Sequence, residues 1–138
     1  MRTRSILLTA ILFLTVSAGF LACRNHSKGS SALINRWALK TLADTTFSVP
    51  GGYLYLQIDS KGTASGFGGC NDFSGTYTVN NTQLTFSNLS STLLWCDLGD
   101  LETKFMNALQ QTNNYSVSNG TLSLYHGAAL LATLSITP

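Results

Sequence analysis

The chain has 138 residues, of which 44% are hydrophobic and 10% are charged, and its formal net charge is +2. Arg2 and Arg4 lie within the first four residues, and without them six basic residues balance six acidic ones. A near-neutral chain without a basic patch and interleaved aromatic residues gives little support for nucleic-acid binding. The length allows one small domain after an N-terminal leader.

The N-terminus has the features of a bacterial lipoprotein signal. A short basic start, an apolar run from Ile6 to Val16 and small residues before Cys23 are typical of a secretory signal peptide. The apolar run is shorter than the roughly 20 residues that cross a bilayer. The stretch Phe20–Cys23 resembles a lipobox, in which the cysteine becomes the acylated first residue of the mature protein. The alternatives are plain secretion after cleavage near Ala22 and an uncleaved anchor.

The predicted lipid anchor divides the chain into three parts. We expect a signal peptide at residues 1–22, a lipidated cysteine with a polar tether at 23–32, and one domain at 33–138. Each buried acyl CH₂ contributes about 0.8 kcal/mol, so several chains such as palmitate on Cys23 would hold the protein durably on a membrane. Arg24 follows the cysteine in place of the Asp that retains many lipoproteins at the inner membrane, which favours the outer membrane. Which face of that membrane the domain occupies is left open.

Short alternating segments separated by turn residues predict antiparallel strands. One segment, Tyr53–Asp59, carries three apolar residues on one face: Leu54, Leu56 and Ile58. The first strand is expected near Trp37–Leu39 and the last at Ala128–Ile136. Two-residue hairpin turns are predicted at Asn80-Asn81 and at Asn119-Gly120, because these residue types tolerate the backbone angles of tight turns.

One segment, residues 100–111, predicts a helix. Its apolar residues fall at helical spacing on one side: Leu101, Phe105, Ala108 and Leu109. Asp100 is expected to cap the start of the helix, and Glu102 to lie favourably in the positive first turn. Many antiparallel strands and one amphipathic helix place the chain in the α+β class, with a sheet that curls around the helix.

Cys70 and Cys96 are the two cysteines that remain after Cys23. In an exported domain such a pair is more often bridged than free, and a loop of about 26 residues would gain roughly 3.5 kcal/mol from the bridge. A catalytic thiol would need a base, and His126 is the only histidine in the expected domain. A zinc site would need four ligands, yet no paired CxxC or HxxxH spacing occurs. A structural bridge is therefore the prediction, with no metal and no cofactor.

The segments SGFGGCNDFSGTY and STLLWC, the amphipathic helix and YSVSNGTLSLY together resemble the META/HslJ family of small bacterial envelope proteins. Besides the two cysteines, the matching positions are Trp37, Gly69, Asn71, Ser74, Gly75, Tyr77 and Thr92. The resemblance covers about residues 36–134. It implies a disulfide between Cys70 and Cys96 and a strongly bent, cracked-barrel-like sheet packed on the helix. Asp72 stands where members often carry a basic residue, so a role of that residue does not carry over.

The same resemblance implies a link to heat shock and envelope stress, and it brings no enzymatic activity. We expect a monomeric, non-catalytic lipoprotein that binds a hydrophobic ligand or a protein partner. An inhibitor of an envelope hydrolase is the alternative, with the segment Ser65–Gly75 as its contact surface. The apolar side chains expected to line a ligand site are Leu54, Leu56, Ile58, Phe105 and Leu109.

Overall fold

The structure, a computed structural model, describes residues 28–43, 45, 47–48 and 50–137. The predicted signal peptide and Cys23 lie outside the described residues. The described part of the chain forms, in order, α1 (Lys28–Leu33), β1 (Arg36–Leu42), β2 (Tyr55–Ile58), β3 (Thr63–Phe67), β4 (Asp72–Asn80), β5 (Gln83–Ser91), α2 (Gly99–Gln111), β6 (Asn114–Ser118), β7 (Thr121–His126) and β8 (Ala129–Ile136). Neither of these two helices is long and apolar enough to span a membrane.

The eight strands form one antiparallel sheet that closes into a barrel-like ring. Each strand pairs with the next along the chain, and β8 returns to pair with β1. The pairing is thinnest between β5 and β6, where a single residue pair, Gln83 with Asn114, sets the register. The predicted antiparallel sheet, strongly bent and accompanied by an amphipathic helix, is confirmed in this form.

The strands predicted near Trp37–Leu39, at Tyr53–Asp59 and at Ala128–Ile136 correspond to β1, β2 and β8. The sequence did not predict β3, because its small residues and glycine have a low intrinsic preference for strands. Pairing with β2 and β4 on both sides holds this segment extended. Ser65 and Phe67, from the segment Ser65–Gly75 suggested as a contact surface, therefore belong to the sheet.

One of the two predicted hairpin turns is confirmed and the other is wrong by one residue. Asn119 and Gly120 connect β6 to β7 with φ angles of 49° and 72°, as a tight hairpin turn requires. In the first hairpin Asn80 pairs with Gln83, so the turn begins at Asn81, whose φ is 55°. Two adjacent asparagines tolerate the left-handed region equally well, and strand register decides which of them turns.

The core lies inside the ring and includes one face of α2. The four residues predicted to share a helix face, Leu101, Phe105, Ala108 and Leu109, are all buried. The ring of Phe105 meets that of Phe73 on β4 edge to face, with centroids 5.9 Å apart. The predicted amphipathic face is thus confirmed, since it contributes directly to the same core as the strands.

Helix α1 lies where the sequence predicted the end of a polar tether. Leu33, its last residue, is fully buried, and its carbonyl accepts a hydrogen bond from Trp37 Nε1 at 2.9 Å. The family-motif tryptophan therefore fixes α1 to the start of β1. So short a polar segment has no apolar periodicity that would predict a helix. The helix is stabilised instead by the tertiary contacts of Leu33.

The two ends of the ring can be told apart from the strand pairing. Ile58 N donates to the carbonyl of Asn35 just before β1, so β1 begins where β2 ends; this is the proximal end. Tyr55 at the start of β2 pairs with Phe67 at the end of β3, and the turn 68–71 follows at the opposite, distal end. The chain therefore approaches the ring from the proximal end.

Candidate functional site

A disulfide joins Cys70 to Cys96 at the distal end, with their Cα atoms 5.9 Å apart. This separation is ordinary for a disulfide, and the predicted bridge is confirmed. Cys70 lies in the turn between β3 and β4, and Cys96 lies in the segment between β5 and α2. The bridge therefore fixes the segment before α2 to the sheet.

The side chain of Asn71 holds the same segment through hydrogen bonds. Its Oδ1 accepts from Thr92 Oγ1 and from the backbone N–H of Leu94, both at 2.7 Å. Its Nδ2 donates to the carbonyl of Leu94 at 3.1 Å and to Glu102 Oε1 at 2.8 Å. Asn71 is 5% exposed, so these bonds form largely away from water. Two family-motif positions, Asn71 and Thr92, are thus in direct contact.

The side chain of Glu102 on α2 also binds the turn 68–71. It is 8% exposed, and its Oε2 accepts from the backbone N–H groups of Cys70 at 3.1 Å and Asn71 at 2.5 Å. A carboxylate that accepts several buried N–H bonds is a strong, charge-assisted partner. The sequence predicted only a favourable position in the first helical turn, and it gave no sign of these contacts. We call Cys70, Asn71, Thr92, Cys96 and Glu102 the distal cluster.

The start of α2 differs from the prediction. The helix begins at Gly99, one residue earlier than expected, and Leu98 occupies the N-cap without a side-chain hydrogen bond. Asp100 therefore lies inside the first turn, and the prediction that it caps the helix is wrong. Its Oδ2 lies 3.4 Å from Lys104 Nζ, an exposed pair one helical turn apart. Fixing Glu102 to the turn 68–71 determines where the helix starts.

Two glycines shape the turn 68–71, each for a different reason. A Cβ on Gly68 would lie 2.6 Å from the Glu102 Cγ atom, closer than real Cβ atoms come. Gly69, a family-motif position, has a φ of 111°, which side chains rarely adopt. Both are buried. Gly68 is therefore required by the close approach of the carboxylate, and Gly69 by the positive φ of the turn.

The distal cluster holds an apolar segment in solvent. Leu93, Leu94 and Trp95 are 96%, 69% and 90% exposed, whereas the other exposed large apolar residues of the described chain reach at most 47%. We call residues 93–95 the apolar loop. Asn71 binds the backbone in its middle, and the disulfide holds the residue that follows it. The sequence signal was a run of apolar residues directly before a cysteine, outside any strand or helix period.

Five family-motif positions lie outside the distal cluster: Trp37, Gly69, Ser74, Gly75 and Tyr77. Ser74 and Gly75 are on β4, where Gly75 faces Ala64 and a Cβ would lie 2.7 Å from the carbonyl oxygen of Ser87. The motif positions therefore do not assemble into one site. They serve separate close contacts of the fold.

Tyr77 stabilises the turn between β2 and β3. Its hydroxyl donates to the carbonyl of Asp59 at 2.6 Å, and burial raises the pKa of the hydroxyl, with the Asp59 carboxylate raising it further. Asp59 Oδ1 accepts from the backbone N–H groups of Lys61 and Thr63, each at 2.8 Å. The bond from Thr63 is the main cause that lowers the pKa of Asp59. These groups organise a turn.

The structure does not bring His126 to Cys70. His126 Nδ1 lies 2.8 Å from the carbonyl oxygen of Gln111 at the C-terminal end of α2. Cys70 contacts Glu102 near the N-terminal end of the helix, and nine residues of helix correspond to about 14 Å. Among the described residues, no group of three or more His, Cys, Asp or Glu side chains is placed to hold a metal ion.

The five side chains predicted to line a ligand site belong to the core cluster. Leu54, Leu56, Ile58, Phe105 and Leu109 are at most 1% exposed. Three surface grooves lie elsewhere: beside α2 and β8, between Asp72 and Thr92, and near Phe47. None of these grooves is lined by any of the five.

Known proteins resemble this chain in sequence pattern and in fold. A family model described as the META domain matches residues 31–135. An NMR structure of a protein from Burkholderia xenovorans has a TM-score of 0.63 and 22% identity, covering 99% of this chain and 97% of that one. A crystal structure of a DUF4847 family protein from Bacteroides vulgatus ATCC 8482 has a TM-score of 0.59 and 12% identity, covering 77% and 94%. At these identities both likenesses concern the fold alone, and no curated protein matches the chain.

Proposed function

The chain belongs to the META domain family, and we propose that it is a non-catalytic envelope lipoprotein that acts by binding another molecule at its surface. Its role is the maintenance of the envelope under stress such as heat shock, as the resemblance to META/HslJ proteins implies. The proposal has two parts, an acylated Cys23 that attaches the protein to the membrane and a domain that binds without chemistry.

One observation carries the second part: the polar groups of the distal cluster are engaged with one another. The sulfurs of Cys70 and Cys96 are bonded together, and both oxygens of Glu102 accept hydrogen bonds. Within the described residues, no buried side-chain nitrogen or oxygen lacks a hydrogen-bond partner. A catalytic acid, base or nucleophile needs a free proton or lone pair directed at a substrate. The cluster has the character of a scaffold.

The core supports binding at the surface rather than in an internal cavity. Trp37 and Phe105 are among its largest fully buried side chains, and they pack with apolar residues from the strands into one cluster. A hydrophobic ligand inside the ring would have to displace side chains that already exclude water. Separating a close-packed core in this way is costly. Carriage of a ligand lined by Leu54 or Phe105 is therefore the weaker version of the proposal.

Most of the segment that the sequence suggested as an inhibitor's contact surface lies within strands. Of the segment Ser65–Gly75, Ser65–Phe67 lie in β3 and Asp72–Gly75 in β4. The remaining turn contains Gly68 and Gly69, both buried, and its other residues belong to the distal cluster. An inhibitor of an envelope hydrolase would therefore use exposed residues of β4, such as Asp72 and Ser74, rather than the turn itself.

Native mass spectrometry of the full-length protein, purified gently from its envelope, tests both parts at once. We expect wild-type protein to begin at Cys23 and to carry the mass of acyl chains. A Cys23→Ser variant should lack those chains and leave the membrane fraction, because each acyl CH₂ contributes about 0.8 kcal/mol to attachment. Beyond the anchor, we expect no retained small molecule.

Ser30→Ala, a change in the predicted tether, serves as the matched control and should be acylated like wild type. Wild-type protein without acyl mass would contradict the lipoprotein assignment. A lipid-sized mass that stays with the domain after removal of the anchor would contradict surface binding, and it would restore the internal ligand.

A further inference from the structure

We propose that the apolar loop, residues 93–95, is a preformed docking element that inserts into an apolar pocket with a basic rim on a partner protein of the envelope. The inference rests on the proposed function, since it names the surface and the class of molecule bound. The partner is defined by its chemistry, a concave apolar site that accepts Leu and Trp side chains.

The apolar loop exposes three consecutive large apolar side chains. Leu93, Leu94 and Trp95 stay in water although no other exposed large apolar residue of the described chain is more than half exposed. Contiguous apolar surface of this kind marks an interaction site in soluble proteins. Trp is also the residue type most enriched among the few that dominate protein–protein binding.

The position of the apolar loop is fixed before any partner binds. The bridge at Cys96 and the hydrogen bonds of Asn71 to the backbone of Leu94 fix its position. Glu102 in turn fixes Asn71 through its side chain and its backbone N–H. A loop ordered in advance loses little entropy on binding.

The backbone of the loop indicates how recognition occurs. The N–H and the carbonyl of Leu94 are both engaged by the Asn71 side chain, so they are not available for pairing with a strand of another protein. Strand addition at a sheet edge depends on such main-chain bonds. The partner must therefore recognise side chains, which favours a pocket over an open sheet edge.

Charge around the loop selects the partner's rim and disfavours a lipid surface. Residues 70–72 and 92–102 include four carboxylates and neither Lys nor Arg. The next basic residue, Lys104, forms an ion pair with Asp100. Anionic membranes attract clusters of Lys and Arg, which are missing here. Exposed carboxylates such as Asp72 and Asp97 instead complement basic side chains on a partner protein.

The position of the loop also favours a protein over the anchoring membrane. The chain approaches the ring at the proximal end, whereas the apolar loop lies at the distal end. The seven residues of β1 correspond to about 23 Å of strand between the two ends. Cys23 precedes Lys28 by five positions, a reach of at most about 18 Å. An anchor at Cys23 therefore keeps the proximal end near the membrane and leaves the loop directed away from it.

Site-specific photo-crosslinking in intact cells of the producing bacterium tests the proposal. The photoreactive residue p-benzoylphenylalanine replaces Leu93 or Trp95 in the full-length protein. In the matched control it replaces Leu130, an exposed leucine on β8 outside the apolar loop. We expect positions 93 and 95 to form an adduct with the same second polypeptide, and position 130 to form none. The polypeptide is then identified by mass spectrometry and purified.

Binding between the two purified proteins completes the test. We expect Trp95→Ser to weaken the affinity about 10-fold or more, as for a central aromatic anchor, and Leu130→Ser to change it less than about 2-fold. Asp97→Lys should weaken the affinity more at low salt than at high salt, because the substitution places a positive charge against the basic rim. A circular dichroism melt shows that each variant is folded.

Four outcomes would overturn the proposal: adducts only with a second copy of this chain, adducts only with lipid, no adduct from position 93 or 95, or an affinity that Trp95→Ser leaves unchanged. The first would indicate self-association and the second a membrane contact. None of them alters the expected acylation of Cys23 or the empty domain in native mass spectrometry, so failure here is distinct from failure of the proposed function.

Discussion

Replacing Glu102 by alanine is expected to lower the free energy of unfolding by about 3 kcal/mol or more. The change leaves three donors without their acceptor, the backbone N–H groups of Cys70 and Asn71 and the Asn71 side-chain amide. Each buried donor left unsatisfied costs about 1–3 kcal/mol. For a domain of this size the loss corresponds to a fall in Tm of more than about 10 °C. Chemical denaturation with urea measures it.

Asp100→Ala is the matched control, because it removes a carboxylate from the same turn of α2. Asp100 is exposed and forms an ion pair with Lys104, so we expect a change within about 0.5 kcal/mol. Glu102→Gln should fall between the two, since a glutamine keeps one acceptor oxygen but directs an NH₂ group at the turn. Equal stability of the Ala and wild-type proteins would refute the central position of Glu102.

Removal of the disulfide is expected to have the second large effect. A double Cys70→Ser, Cys96→Ser variant should lose about 3.5 kcal/mol, because the bridge closes a loop of 26 residues in the unfolded chain. Reduction of the wild-type protein should lower the free energy of unfolding by a similar amount. The same urea titration, followed by far-ultraviolet circular dichroism, measures both.

The combination of the two changes is informative about the distal cluster. If Glu102 and the bridge hold the same segment, the triple variant should be less destabilised than the sum of the two effects, by about 0.5 kcal/mol or more. Strict additivity would mean that Glu102 and the bridge act independently. A bridgeless protein as stable as wild type would contradict a structural role for Cys70 and Cys96.

Local sequence patterns were sufficient for much of the ring. The alternation of Leu54, Leu56 and Ile58 placed the inner face of β2, and Asn119-Gly120 fixed one hairpin. The helical spacing of Leu101 and Phe105 identified the buried face of α2 correctly. In these segments neighbours along the chain determine which side chains face the core, so a period of 2 or 3.6 is enough.

The distal cluster depended on contacts that no local pattern records. Glu102 meets Asn71 across 31 residues, and its carboxylate looked like any acidic residue at a helix start. Asp100 was the more obvious cap by residue type, yet the helix begins one residue earlier and Leu98 takes that position. Tertiary hydrogen bonds of Glu102 overrode the local preference, as they commonly do at helix ends.

The candidate ligand site and the apolar loop were difficult for the opposite reason. A buried Leu in the core and a Leu that lines a cavity have the same pattern in sequence, so Leu54 and Phe105 fitted both interpretations. For Leu93 and Leu94 the sequence gave no specific prediction, and apolar residues in small domains are usually inside. Their exposure follows from the position of Cys96 and Asn71, which only the fold establishes.

We infer that the distal cluster holds the exposed apolar loop in one conformation. The most direct measurement is the set of ¹⁵N order parameters for the backbone amides of residues 93–95 in the free, oxidised protein. We predict order parameters of about 0.85, as in rigid backbone, for the oxidised protein. After the bridge is removed we predict order parameters below about 0.6. Order parameters below about 0.6 in the oxidised protein would contradict the claim, because the loop would then be mobile despite the bridge, Asn71 and Glu102.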